Sequence, residues 1–184
     1  MLITERLILR RWEDSDAEEL YKYAKDPDIG PITGWPVHKS VEESLDAIRN
    51  VLSADETYAI CFKEENRVIG SIGLRMKDDS ELADCDDECE LGFWVGKPFW
   101  GQGIMPEAAK ELIRHAFEDL RMECIWCAYY DGNNKSKRTQ EKMGFRYQRT
   151  IEDFEVKLLH EKRTMHVNCL TKEQWLVGQQ ETTS

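Results

Sequence analysis

The chain has 184 residues, with 25 basic and 36 acidic side chains, so its formal net charge is −11. That length suits one independently folding domain, and 41% apolar residues with 11 Gly and 5 Pro exclude a disordered or low-complexity chain. So acidic a composition argues against binding nucleic-acid phosphates, no apolar run approaches a membrane span, and MLITERLILRRW lacks a signal-peptide layout, which together predict a soluble cytoplasmic protein.

In chain order, residues 6–12 alternate as a first strand, and Ser15 with Glu18 form a capping-box pattern ahead of a first helix. Residues 26–36, DPDIGPITGWP, are rich in turn formers. Ser40 and Glu43 repeat the capping pattern before Val41, Leu45, Ile48 and Leu52, a second amphipathic helix. TYAICF (57–62) and RVIGSIGLRM (67–76) read as a hairpin across KEEN. Residues 78–90 hold eight acids and no base, an exposed loop. ELGFWVG (90–96) is a strand that KPFWGQG interrupts, and the apolar positions from Ile104 to Leu120 have helical period, with Pro106 tolerated in the first turn. CIWCAYYDG is the next strand, and NNKSKRTQEKM is a helix closed by Gly144. Two further strands, FRYQRTIEDF and KRTMHVNCL, precede a short terminal helix. This order describes one mixed α/β domain with a parallel crossover around the long central helix.

Six cysteines without a secretory signal predict free thiols rather than a disulfide framework. The spacing of Cys124 and Cys127 resembles half a zinc site, but residues three apart on a strand point to opposite faces, so no metal is expected.

The chemistry concentrates where a strand meets the central helix through WGQG. Glycines let the backbone approach a ligand, and the free N–H groups of a first helical turn, with the helix dipole, suit a phosphate or pyrophosphate. Such a turn can equally serve only to bend the chain. It is neither a dinucleotide fingerprint, because Pro106 replaces the third glycine, nor a P-loop, because no G-K-[ST] follows. About thirty residues on, Asn133 caps a helix whose Lys135, Lys137, Arg138 and Lys142 are basic within an acidic chain.

ELGFWVGKPFWGQGIMPEAAKELIRHAF followed by N-x-x-S-x-x-x-Q-x-x-x-GF at 133–145 resembles the GNAT superfamily of acetyl-CoA-dependent N-acetyltransferases. TERLILRRW, EKMGF and the terminal TKEQW are similar to its RimJ/RimL branch of ribosomal-protein N-terminal acetyltransferases; the similarity runs from about residue 3 to 175, leaving 176–184 as a polar tail. The resemblance implies an α/β (α+β) single-domain GNAT fold over 1–184: a mixed, mostly antiparallel sheet with splayed central strands and about four flanking helices. It also implies acetyl-CoA as cosubstrate and an amine acceptor, a protein N-terminus or a small cationic amine. No nucleic-acid or membrane partner is expected, and the chain would be a monomer or homodimer.

Carried onto this sequence, the resemblance assigns Phe93, Trp94 and Val95 to the pantetheine and the amides of Gly101, Gln102, Gly103, Ile104 and Met105 to the pyrophosphate. Asn133 and Ser136 would face the pantetheine and the thioester end; Lys137 and Arg138, by their charge, the adenosine phosphate. Where many members place a tyrosine acid, seven residues after the Asn, this chain has Gln140, which cannot protonate a thiolate. Ser136 is therefore the candidate hydrogen-bond donor to the leaving sulfur, and Glu90 the candidate base. The competing expectation, permitted by the missing tyrosine, is a catalytically weak CoA-binding or regulatory module.

Overall fold

Short alternating segments pair into one sheet and the longer periodic ones cover its faces. The computed structural model describes residues 1–182. Eight strands, β1 (Leu2–Ile3), β2 (Leu7–Arg10), β3 (Thr57–Phe62), β4 (Val68–Met76), β5 (Glu88–Val95), β6 (Cys124–Tyr130), β7 (Arg146–Val156) and β8 (Glu161–Thr171), lie in the order β1-β2-β3-β4-β5-β6-β8-β7. Every pairing is antiparallel except β5 with β6, the crossover that encloses the central helix.

Six α-helices flank the sheet among the described residues: α1 (Ala17–Ala24), α2 (Gly30–Thr33), α3 (Val41–Ala47), α4 (Ile104–Arg114), α5 (Asn134–Lys142) and α6 (Lys172–Thr182). One of these, α2, is additional to the helices read from the sequence, and the terminal one runs further than its pattern. The turn-rich stretch holds the four-residue α2, closed by Gly34 at a φ of 103°. The segment expected as a tail continues α6, which opens with reciprocal bonds between Thr171 and Gln174. Residues 183 and 184 of that tail lie outside the described residues.

One face of the sheet carries α4, whose Ile104, Ala108 and Leu112, with Ala116 and Phe117 in the π turn that follows, pack on Leu7, Ile60, Leu74 and Leu91. Burying Leu112 and Phe117 contributes about 1.5–3 kcal/mol each. The other face carries Ala17, Leu20 and Ala24 of α1, and Ile48 beyond α3, against Ala59, Cys61 and Val68.

The first strand is shorter than its pattern and the first helix starts differently. Arg10 makes a two-pronged pair with Asp16, at 2.8 Å to each oxygen, and Asp16 also accepts from the Glu13 amide at 2.9 Å. The capping box is therefore Glu13 with Asp16, opening a 3₁₀ turn, rather than Ser15 with Glu18. Ser40 caps α3 as expected, its Oγ accepting from the Glu43 amide at 3.2 Å. The acidic stretch is a loop pinned at its middle, since Leu82 and Ala83 are buried, and its end from Glu88 belongs to β5.

Candidate active site

The central strands part because each has a stronger commitment elsewhere. β5 and β6 pair only at Glu88–Cys124, Cys89–Ile125 and Glu90–Trp126. Beyond Glu90, β5 follows β4 as far as Gly70–Val95, while β6 follows β8 as far as Tyr130–Met165. The Gly96 amide donates to Ile69 of β4 at 2.8 Å, so alternation turns the backbone groups of Val95 and Phe93 the other way, into the opening. Trp100 reaches into that opening from the following turn, its Nε1 donating to the Val95 carbonyl at 2.9 Å.

After β5 the chain makes a 3₁₀ turn over Lys97–Phe99 and enters α4 through Gly101 at φ 76° and Gly103 at φ 74°, a left-handed conformation that only glycine adopts freely. A β-carbon at Gly101 would meet nothing within 4 Å, so the space in front of the turn is open. Gly103 is the N-cap; its carbonyl takes the Glu107 amide at 3.2 Å, and Pro106 has no N–H to offer. The turn is clamped from the bend between β1 and β2. Arg6 donates to the Gln102 carbonyl at 3.2 Å and to Glu107 at 2.6 Å, and Glu107 also accepts from Thr4 Oγ1 and the Arg6 amide. Burial pushes the Glu107 carboxyl up, but these bonds outweigh it and hold it below its usual range.

A cleft of about 400 Å³ runs from this turn along α5. Of the residues the sequence nominated, Phe93, Trp94, Val95, Gly101, Gly103, Ile104, Met105, Asn133, Ser136 and Arg138 line it. Gln102 and Lys137 do not. Gln102 turns its side chain back onto the Pro98 carbonyl, and Lys137 projects into solvent within 4.0 Å of Glu141. Lys135, Thr139 and Lys142 were not nominated and do line the cleft; with Arg138 they recur at helical spacing on one face of α5, a signal the sequence held. The Lys135 ammonium lies 3.3 Å from the centroid of the Trp100 ring.

A second cleft, about 670 Å³, opens on the sheet face opposite α4. Glu90, Gly92 and Trp94 of β5, Ala128 and Tyr130 of β6, and Ile32, Thr33 and Trp35 from α2 and its end form its inner part. The two clefts meet at Ile32, Thr33, Phe93, Trp94, Asn133 and Ser136. Nothing in the sequence pointed to the contribution of α2. Glu90 is buried at the wall of the second cleft: Arg75 pairs with Oε1, while Ser80 at 2.7 Å and the Glu81 amide at 3.3 Å donate to Oε2. Burial raises the Tyr130 phenol above its ordinary range.

The cysteines carry free thiols, and burial pushes Cys61 up to about 11 and Cys89 up to about 12, which leaves both protonated at neutral pH. Cys124 is partly exposed and Cys127 buried; the sulfur of Cys124 approaches that of Cys169 on β8, 3.4 Å away, instead. Among the described residues no three His, Cys, Asp or Glu side chains gather so as to hold a metal ion, and no helix is long and apolar enough to cross a membrane.

A sheet split between parallel central strands, with a glycine turn and a capped basic helix on one side and an open cleft on the other, defines an acyl-transfer fold. Residues 6–146 match the family model of the acetyltransferase (GNAT) domain. The chain is 30% identical over 159 residues to the uncharacterized N-acetyltransferase p20 of Bacillus licheniformis, covering 84% of this chain and 86% of that one. Its fold superimposes on a GNAT-family acetyltransferase of Bacillus anthracis with a TM-score of 0.80 at 20% identity, over 94% and 98% of the two chains. With a ribosomal-protein-S5-alanine acetyltransferase of Vibrio fischeri the TM-score is 0.72 at 16% identity, over 94% and 97%. This chain belongs to the GNAT family and is an acetyltransferase.

Proposed function

We propose that this protein moves the acetyl group of acetyl-CoA directly to a primary amine, with both substrates bound at once. The observation that carries this reading is the junction: two clefts on opposite sides of the sheet share Phe93, Trp94, Asn133 and Ser136 where the strands part. Acetyl-CoA fits the first cleft, whose open glycine turn offers free amides to a pyrophosphate and whose Lys135, Arg138 and Lys142 offer cations to the adenosine phosphate. The pantetheine amides pair with the backbone of Phe93 and Val95.

A neutral amine in the second cleft attacks the thioester carbonyl. A C–N bond forms, the C–S bond breaks with its electron pair on sulfur, the nitrogen loses one proton and the thiolate takes one up. The Val95 amide stabilises the carbonyl oxygen as charge develops, and the Ser136 hydroxyl donates to the departing sulfur. Glu90, five residues before Val95 and so about 17 Å away along the strand, takes the amine proton through a chain of waters, the nearest of which it holds. Each carboxylate oxygen has two lone-pair sites, so the partners that fix Glu90 leave room for that water.

An α-amine, with a reference pKa of about 7.7–8.0, is partly neutral at physiological pH, whereas lysine near 10.4 is not. A protein N-terminus is therefore the acceptor we favour, supported by the RimJ/RimL-like motifs; a small cationic amine is the alternative. Asp79 and Glu90, from the two ends of the acidic stretch, line the acceptor cleft, and this field draws cations in. Consequently kcat/KM for a peptide with basic residues after a free N-terminus should fall as salt rises toward about 0.5 M, while a neutral peptide of equal length stays level. Equal salt profiles for the two peptides would remove the acidic stretch from acceptor recognition.

A further inference from the structure

Gln140 has no exposed surface, and its amide is committed on every side that the packing reaches. Its Oε1 accepts from Asn168 Nδ2 of β8 at 2.7 Å. Its Nε2 donates to the Ala128 carbonyl of β6 at 3.0 Å and to Ser136 Oγ, one turn earlier on α5, at 3.1 Å. The Ala128 carbonyl can only accept, so the amide cannot be turned round, and both its hydrogens are spent. Ser136 Oγ is thereby made an acceptor toward the protein interior. Among the described residues no protein group takes the Ser136 hydroxyl hydrogen, and Ser136 lines both clefts at their junction.

We infer that Gln140 is a positioning residue for catalysis: its amide, locked by Ala128 and Asn168, fixes the Ser136 hydroxyl with its hydrogen aimed at the sulfur of the thioester. This rests on the acetyl-transfer reading above and explains how a chain with an amide at this position stabilises its leaving group. As the C–S bond breaks the electron pair moves onto sulfur, which accepts the Ser136 hydrogen bond. The serine keeps its proton, and water returns to the thiolate the proton that the amine gave up. Gln140 touches no substrate. Its contribution passes wholly through Ser136, and that is what sets it apart from an ordinary core amide.

The test is a double-mutant cycle on the intact enzyme, following CoA thiol release and, by calorimetry, CoA affinity. Ser136→Ala should lower kcat about 10-fold while CoA affinity stays within about twofold. Gln140→Leu should lower kcat by a similar factor, and the double variant by no more than Ser136→Ala alone, because the two act as one unit. A double variant about 100-fold below wild type, the product of independent losses, overturns the inference, as does a folded Gln140→Leu with wild-type kcat. If Gln140→Leu fails to fold by circular dichroism, Asn168→Ala replaces it. Freeing the amide should then cost about threefold in kcat with Ser136 present and nothing in the Ser136→Ala background. Equal loss in both backgrounds, or loss in neither, again overturns it. Wild-type enzyme that releases no thiol with any amine refutes acetyl transfer itself, whereas active wild type with independent losses refutes only the role of Gln140.

Discussion

Gly103→Val should raise the dissociation constant for CoA by about 100-fold, a loss of roughly 2.7 kcal/mol. Two effects add. Gly103 holds a φ of 74°, where a β-branched residue is strained by roughly 1–2 kcal/mol, so the turn would relax and take its amides out of register. The new side chain would also stand before the first turn of α4, where a pyrophosphate must approach the backbone. Space inside the protein is not the obstacle, because a β-carbon there meets only an Arg6 nitrogen, at 3.6 Å. Gly103→Asn separates the two causes: asparagine tolerates this conformation, so it should keep the thermal midpoint near wild type and still weaken CoA. Calorimetry giving Gly103→Val a CoA affinity within about threefold of wild type would remove the phosphate role of the turn.

Gly92→Phe should do the opposite, abolishing acceptor use and sparing CoA. Gly92 is not among the glycines with positive φ, and a β-carbon there would approach nothing nearer than Arg75 Nη2 at 4.0 Å. Neither backbone nor packing demands a glycine in the middle of β5, where it costs stability. What its small size keeps clear is the acceptor cleft, on the face shared by Glu90 and Trp94. Phenylalanine suits a strand, so the fold should be unharmed. The expected result is a fall of at least about 100-fold in kcat/KM for the amine, with CoA affinity within about twofold. An acceptor kcat/KM that stays near wild type would place the amine elsewhere.

The sequence displayed the CoA side of this site far better than the acceptor side, for a physical reason. An anion site made from a helix N-terminus needs glycines and a helix start in a fixed local order, so WGQG is readable as one short segment, and the α5 cations as another. The second cleft, which we propose takes the acceptor, is assembled from α2, β4, β5 and β6, and no local pattern announces that Ile32, Trp35, Ser71 and Tyr130 converge. The strand parting is likewise a property of competing partners: β5 stays with β4 and β6 with β8, and neither segment alone says where they separate. Gln140 was legible as a departure from the family's tyrosine, but its bonds to Ala128 and Asn168 cross from helix to sheet and exist only in the folded chain. Ser15 and Glu18 fit the capping pattern, yet the long-armed Arg10 decides the outcome by drawing Asp16 into the turn.

The most direct measurement incubates the wild-type protein with acetyl-CoA and peptides bearing a free or a blocked N-terminus. Thiol release and peptide mass are then followed together. The account predicts one thiol freed for each acetyl group gained by the free-amine peptide, and none with the blocked peptide. Tight CoA binding without turnover on the free-amine peptide, or on small amines in its place, would contradict it and leave a CoA-binding module.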